Sequence, residues 1–264
     1  MKISCVINVD SRPETEESNS MFNGVVNRDF LVGGLINKID FFKGFDTEFI
    51  VFLDEHQNVD EETISIMRKY ADVLIIRKHN KRFEDIENFP AFNDFNYLNA
   101  LFCARGKYIF HFDGDEAAFT SSPEPIQEYI DLLEKYDFVS YPYFTSPYPV
   151  KDDSWNGKFW ASTRFFCCKR STLNFGELIK CQLDYDYWRT TYPMPKLCHW
   201  LEHILASMAT NGVFYPPVDF DRIIIFTWQN YHTYTYQRLN SQTFEQVRDW
   251  VRTKHFHYPN NLKI

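Results

Sequence analysis

The sequence predicts an α/β protein with a mostly parallel central sheet and helices on both faces. Three short apolar, β-branched runs have the length of buried strands: Lys2–Val9, Glu48–Leu53 and Val73–Ile76. Helical patterns separate them, over Asn27–Phe42 and Asp60–Ala71. Strands that alternate with helices are joined by crossover connections, which place the strands parallel and cover the sheet on both sides.

The rest of the chain continues with further helical and strand patterns. Helices are predicted around Phe95, Leu98 and Phe102, from Ser122-Pro123 onward, and over Trp200–Asn211 and Gln242–His255. Strands are predicted at Tyr108–Phe112, Phe138–Tyr143, Thr163–Cys168 and Ile223–Trp228. An aromatic-rich loop, Tyr143 to Ser162, separates two of these strands. It is either a satellite hydrophobic cluster or a platform for an acceptor.

Length and composition limit the class of protein. The 264 residues suit one large domain, and the net charge of −8 disfavours a non-specific nucleic-acid binder. The six cysteines form no Cys-x-x-Cys pair, and four lie in apolar runs, which predicts free thiols and a cytoplasmic location. No stretch has the pattern of a signal peptide or the length of a transmembrane helix.

Acidic residues follow three of the predicted strands: Asp10, Asp54 and Asp113. In an open parallel sheet, ligands bind beyond the carboxyl ends of the strands, so these acids are expected to line one crevice. Asp113-Gly114-Asp115 supplies two carboxylates, which are hard ligands that Mg²⁺ and Mn²⁺ prefer. The alternative for any one acid is ordinary turn chemistry at the end of a strand.

The run Ala104–Glu116, ARGKYIFHFDGDE, resembles the segment A-x-G-x-Y-I-x-x-x-D-x-D-x of family 2-like GT-A glycosyltransferases. The resemblance implies a GT-A catalytic domain over residues 1–220 and a C-terminal extension, a strand and a helix packed on the same domain, over residues 221–264. It also implies Mn²⁺- or Mg²⁺-dependent transfer of a hexosyl or pentosyl group, with inversion, from a nucleoside diphosphate sugar. The acceptor would be a hydroxyl of a glycan or of a lipid-linked or protein-linked molecule.

The resemblance, together with position after the strands, assigns roles to individual residues. The donor-binding residues would be Asp10, Arg12, Asp54, Asn80, Asp113 and Arg238, and the metal ligands Asp113, Asp115 and His232. Glu202 occupies the position of the family's catalytic acid pair, but His203 replaces its second acid. The base is therefore Glu202 or His203. For Glu202 the alternative role is to favour a helix N-terminus through the dipole, and for His232 and Arg238 it is a structural or solvent-exposed position.

Other functions are weighed against glycosyl transfer. A sugar nucleotidyltransferase carries a glycine-rich loop after its first strand, whereas Val9–Glu14 contains no glycine. A haloacid-dehalogenase-type phosphatase places Asp-x-Asp on its first strand, whereas here it begins at residue 113. A non-catalytic protein that binds carbohydrate or a nucleotide sugar on the same fold remains open, because His203 departs from the acid pair.

Overall fold

The computed structural model describes residues 2–11, 28–55, 59–78, 94–114, 116–140, 165–184, 209–214, 219–227 and 236–254, with a few single residues between them. Within these residues, no helix is long and apolar enough to cross a membrane. The aromatic loop from Tyr143 to Ser162 lies outside them, as does most of the predicted helix Trp200–Asn211.

A seven-stranded sheet forms the centre of the protein. Its order is β3-β2-β1-β4-β7-β6-β8, and every strand except β7 runs parallel to β1. The strands are β1 (Lys2–Ser11), β2 (Asp46–Glu55), β3 (Val73–Lys78), β4 (Tyr108–Asp113), β6 (Phe138–Ser140), β7 (Phe165–Lys169) and β8 (Val213–Phe214). The predicted mostly parallel sheet is therefore confirmed.

Helices cover both faces of this sheet. They are α1 (Gly34–Phe41, preceded by the π-helical turn Asp29–Gly33), α2 (Glu61–Tyr70), α3 (Asp94–Cys103), α4 (Glu124–Leu132) and α5 (Phe175–Leu183). Buried residues of α1, α2 and α4 share one apolar cluster, and those of α3 and α5 share another. Alternate residues of β1 divide between the two clusters, with Ile7 in the first and Val6 in the second, because successive side chains point to opposite faces.

A second, two-stranded sheet joins the C-terminal part of the chain to the centre. Strand β5 (Glu116–Thr120) pairs antiparallel with β9 (Ile223–Thr227), and the helices α6 (Tyr236–Asn240) and α7 (Phe244–Lys254) follow. Buried residues of these four elements form a third apolar cluster. The sequence predicted neither β5 nor α6, and the late strand at Ile223 pairs with β5 rather than with the central sheet.

The ends of three helices can be compared with the sequence. Asp60 caps α2, because its Oδ1 accepts a hydrogen bond from the Thr63 N–H at 2.8 Å. Helix α3 ends at Cys103, three residues before Gly106. Residues 209–212 are not helical, so the helix predicted to reach Asn211 ends earlier.

The cysteines in the described part of the chain are free, as predicted. Cys5, Cys167 and Cys168 are fully buried, and burial raises the pKa of each thiol far above its usual value. Burial also raises the pKa of Cys181, to about 11. Thiols in this state are inert and serve as small core side chains.

Candidate functional site

Three neighbouring parallel strands bring their acidic residues to one edge of the sheet. In the register of β1 with β2, Asp10 lies opposite Asp54. In the register of β1 with β4, Asn8 lies opposite Asp113, two residues before Asp10. The predicted convergence of the three strand positions is therefore confirmed. However, β1 and β2 continue to Ser11 and Glu55, so Asp10 and Asp54 lie within their strands rather than after them.

The Asp-x-Asp turn is packed against β1. Asp113 is the last residue of β4 and is half-buried, and the Gly114 N–H donates a hydrogen bond to the Asn8 carbonyl oxygen at 2.6 Å. A Cβ on Gly114 would lie 2.5 Å from Cγ2 of Val9. Gly114 is therefore required by the contact with β1.

Two buried side chains contact the backbone that follows Asp113. The Tyr236 hydroxyl lies 3.0 Å from the carbonyl oxygen of Gly114 and 3.1 Å from that of Glu116. The ammonium group of Lys38, on α1, donates to the same Glu116 carbonyl and lies 3.3 Å from the Tyr236 hydroxyl. Neither side chain is exposed. Sequence reasoning missed both, and nothing in the sequence connects positions 198 residues apart.

A buried polar pair, Asn8 and His111, lies on the face of β1 and β4 that is opposite to Lys38 and Tyr236. Asn8 Nδ2 lies 2.6 Å from His111 Nε2, and the His111 ring stacks on Phe166 with centroids 4.9 Å apart. The two side chains therefore form a buried hydrogen bond between neighbouring strands. Within the described residues, Asn8 Oδ1 has no hydrogen-bond partner. The signal that could have found this pair is a polar residue inside each of two apolar strands.

The Ala-x-Gly part of the motif lies at the opposite edge of the sheet. Glu48, on β2, accepts hydrogen bonds at Oε1 from Ser4 Oγ at 2.5 Å and from the N–H groups of Arg105 and Gly106 at 2.7 and 3.0 Å. Its Oε2 pairs with Lys2 Nζ at 3.3 Å. Burial raises the pKa of Glu48, but the hydrogen bonds from Ser4 and Arg105 outweigh it, and the pKa is lowered overall.

The donor chemistry at the carboxyl edge suits a hard divalent cation. In the described part of the chain, no three His, Cys, Asp or Glu side chains form a metal-binding group. Of the two aspartates of the Asp-x-Asp turn, Asp113 is the one that the structure describes. Mg²⁺ is usually held by one or two carboxylates together with substrate phosphates, rather than by a cage of protein ligands. An Asp-x-Asp turn at the edge where ligands bind fits that arrangement.

The other predicted site residues divide into two groups. Arg238 is exposed on α6, the helix whose first residue, Tyr236, contacts the turn after Asp113. The remaining residues lie outside the described part of the chain: Arg12, Asn80, Asp115, Glu202, His203 and His232. Their roles stay predictions.

No protein-family model matches the chain, and a search of curated proteins found no match. Among solved structures the chain is similar to S. aureus TarS 1–349, with 13% identity and a TM-score of 0.45 over 83% of this chain and 59% of that chain. It is similar to the galactosyltransferase LgtC in complex with donor and acceptor sugar analogues, with 12% identity, TM-score 0.47, and 80% and 72% coverage. It is also similar to the mannosyltransferase PcManGT from Pyrobaculum calidifontis in complex with GDP-Man and Mn²⁺. The identity there is 15% and the TM-score 0.42, over 81% of this chain and 54% of that chain.

Proposed function

We propose that this protein is a metal-dependent glycosyltransferase that moves a sugar from a nucleoside diphosphate sugar to an acceptor hydroxyl. The observation that carries the proposal is the position of Asp10, Asp54 and Asp113 at the carboxyl edge of three adjacent parallel strands. The third of these acids begins the Asp-x-Asp turn of a segment that resembles the donor-binding segment of GT-A glycosyltransferases.

The proposed roles follow from position at this edge. Asp113 and Asp115, with His232, would hold Mn²⁺ or Mg²⁺, which when bound neutralises charge that develops on the diphosphate leaving group. Arg238 would contact the diphosphate. The remaining donor-binding residues would contact the nucleoside and its phosphates: Asp10, Arg12, Asp54 and Asn80.

The acceptor hydroxyl needs a base that removes its proton as the bond to the sugar forms. Glu202 is the proposed base, with His203 as its alternative, because Glu202 retains a carboxylate at the family position. Such a base acts only within hydrogen-bond distance of the hydroxyl. We propose inversion at the anomeric carbon, which a single displacement assisted by such a base produces.

Metal-dependent nucleotide binding tests the proposal. Wild-type protein is titrated with UDP and GDP, with Mn²⁺ and with EDTA, and compared with Asp113→Asn. Asp46→Asn is the matched control, because Asp46 is an exposed residue at the other end of β2 and receives the same chemical change. We expect one of the nucleotides to bind only with metal, and Asp113→Asn to weaken that binding more than about tenfold, equivalent to about 1.4 kcal/mol. Equal binding in EDTA would refute the metal role.

Product analysis separates the alternatives. A glycosyltransferase given a nucleoside diphosphate sugar releases the nucleoside diphosphate, whereas a sugar nucleotidyltransferase consumes a nucleoside triphosphate and releases pyrophosphate. A non-catalytic binding protein, the alternative favoured by His203 in place of an acid, would bind the nucleotide sugar without releasing either product.

A further inference from the structure

A fully buried lysine lies beside the Asp-x-Asp turn. Lys38 has no exposed surface, and its ammonium group donates to the carbonyl oxygen of Glu116. The same Nζ lies 5.7 Å from the ring centroid of Phe112 and 5.1 Å from that of Tyr236. Burial of a charge is unfavourable unless the charge is paired or hydrogen-bonded. A lysine that is kept in this buried position therefore indicates that its contacts with the turn are important.

Lys38 orients the hydroxyl group of Tyr236. An ammonium group has only donors, so across the 3.3 Å contact the tyrosine oxygen must accept from Lys38. The single hydroxyl proton is then directed to the carbonyl oxygens of Gly114 and Glu116, at 3.0 and 3.1 Å. Hydrogen bonds in such a chain strengthen one another, and those to a charged donor are the stronger class. The two carbonyls belong to the residues on either side of Asp115.

The π-helical turn that precedes α1 is shaped to receive Tyr236. A Cβ on Gly33 would lie 2.5 Å from the Cβ of Tyr236, so a larger residue there would displace the tyrosine. The Asp29 carboxylate accepts hydrogen bonds from the N–H groups of Tyr236 and Gln237 at 2.7 and 2.8 Å. Asn240 Nδ2 donates to the Gly33 carbonyl at 3.0 Å. Helix α6 is thus fastened to the π-helical turn by contacts at both its ends.

We propose that Lys38 and Tyr236 are positioning residues that fix the backbone on both sides of Asp115. They would hold the Asp113 carboxylate and the backbone of the turn that follows it in the position that a cation and a diphosphate require. This proposal rests on the proposed function for the identity of the ligand. It makes α6 an integral part of the donor site, although the sequence predicted this region only as an extension of the catalytic domain.

Tyr236→Phe is the discriminating variant, because it removes the hydroxyl and keeps the buried ring. Tyr108→Phe is the matched control, since its hydroxyl bonds Glu134 at 3.1 Å at the start of β4, away from the turn. Mn²⁺ binding is measured by electron paramagnetic resonance with UDP or GDP present, and amide exchange of residues 113–118 is measured without metal. We expect Tyr236→Phe to weaken Mn²⁺ binding about tenfold and to speed the exchange, and Tyr108→Phe to do neither.

Lys38→Met, which keeps the length of the side chain and removes the charge, is expected to act in the same direction as Tyr236→Phe. Wild-type Mn²⁺ affinity and wild-type exchange in Tyr236→Phe would overturn the proposal, as would equal losses in the Tyr108→Phe control. Failure of the wild-type protein to bind Mn²⁺ would instead refute the proposed metal-dependent function. In that case faster exchange at 113–118 in Tyr236→Phe still supports the positioning role, and unchanged exchange overturns it.

Discussion

Replacing Gly106 by alanine is expected to destabilise the protein strongly, because no space exists for one methyl group. A Cβ at this position would lie 2.6 Å from the backbone nitrogen of Ser4 and 2.7 Å from the carbonyl carbon of Ile3. Both atoms belong to β1, which is paired with β2 on one side and β4 on the other. The strand cannot move, so the turn that contains Gly106 must shift away from it.

The magnitude follows from the contacts that such a shift would weaken. The Gly106 N–H donates to Ser4 Oγ at 2.7 Å and to Glu48 Oε1 at 3.0 Å. Overpacking of a core typically costs about 1–3 kcal/mol, and loss of a hydrogen bond to a charged group costs about 1.5–3 kcal/mol. We therefore expect the free energy of unfolding to fall by about 3–5 kcal/mol. For a chain of this size, that lowers the Tm by roughly 10 °C.

Urea unfolding followed by circular dichroism measures this change, with Gly176→Ala as the control. Gly176 is exposed in the first turn of α5, and the nearest atom to an added Cβ is Asn174 Oδ1 at 3.5 Å. Alanine there should stabilise the helix by about 0.5–1 kcal/mol. The reasoning would be refuted if Gly106→Ala stayed within about 0.5 kcal/mol of the wild type, the range of neutral surface substitutions.

Two further predictions concern Glu48 and the catalytic base. Glu48→Gln keeps an acceptor but loses the charge, so it should lower the free energy of unfolding at pH 7 by about 1–2 kcal/mol. Because folding lowers the Glu48 pKa, the stabilisation is complete above the unfolded value of 4.5 and is lost as pH falls through the folded value. Urea unfolding at pH 7 and pH 3 should show the gap between variant and wild type closing, and a constant gap would contradict this. Glu202→Gln should bind the nucleotide sugar normally and lower kcat by roughly 10²–10⁴-fold; full kcat there with a loss in His203→Ala would move the role to the histidine.

The central sheet could be predicted because its strands are short, apolar and separated by helical periodicity. The elements that were missed lack those properties or carry weaker ones. Strand β5, Glu-Ala-Ala-Phe-Thr, contains residues that do not favour strands and forms by pairing with β9, about a hundred residues further along. Helix α5 was also missed, although the sequence carries signals for a helix there. Asn174 caps the helix, because its Oδ1 accepts a hydrogen bond from the Glu177 N–H at 3.0 Å, and Leu178 and Cys181 are buried at helical spacing.

The positions of three acids in the sheet were predictable because strand order alone decides them. Asp10, Asp54 and Asp113 lie at the same edge of the sheet because parallel strands end there. Lys38 could not be found in this way, because a lysine in an amphipathic helix is expected to point to solvent. Its burial results from a contact with Tyr236, 198 residues away, which local sequence patterns do not encode.

The two glycines of the motif show that part of the family resemblance reflects packing. Gly106 precedes β4 and contacts the backbone of β1 near Ser4, while Gly114 follows β4 and contacts Val9 near the other end of β1. Their spacing of eight residues spans the six residues of β4, with one residue left over between Gly106 and the strand. A sequence with these two glycines therefore predicts that β4 lies tightly beside β1. Because that contact is needed whether or not the protein is catalytic, the carboxylate chemistry of Asp113 has to be tested with metal and nucleotide directly.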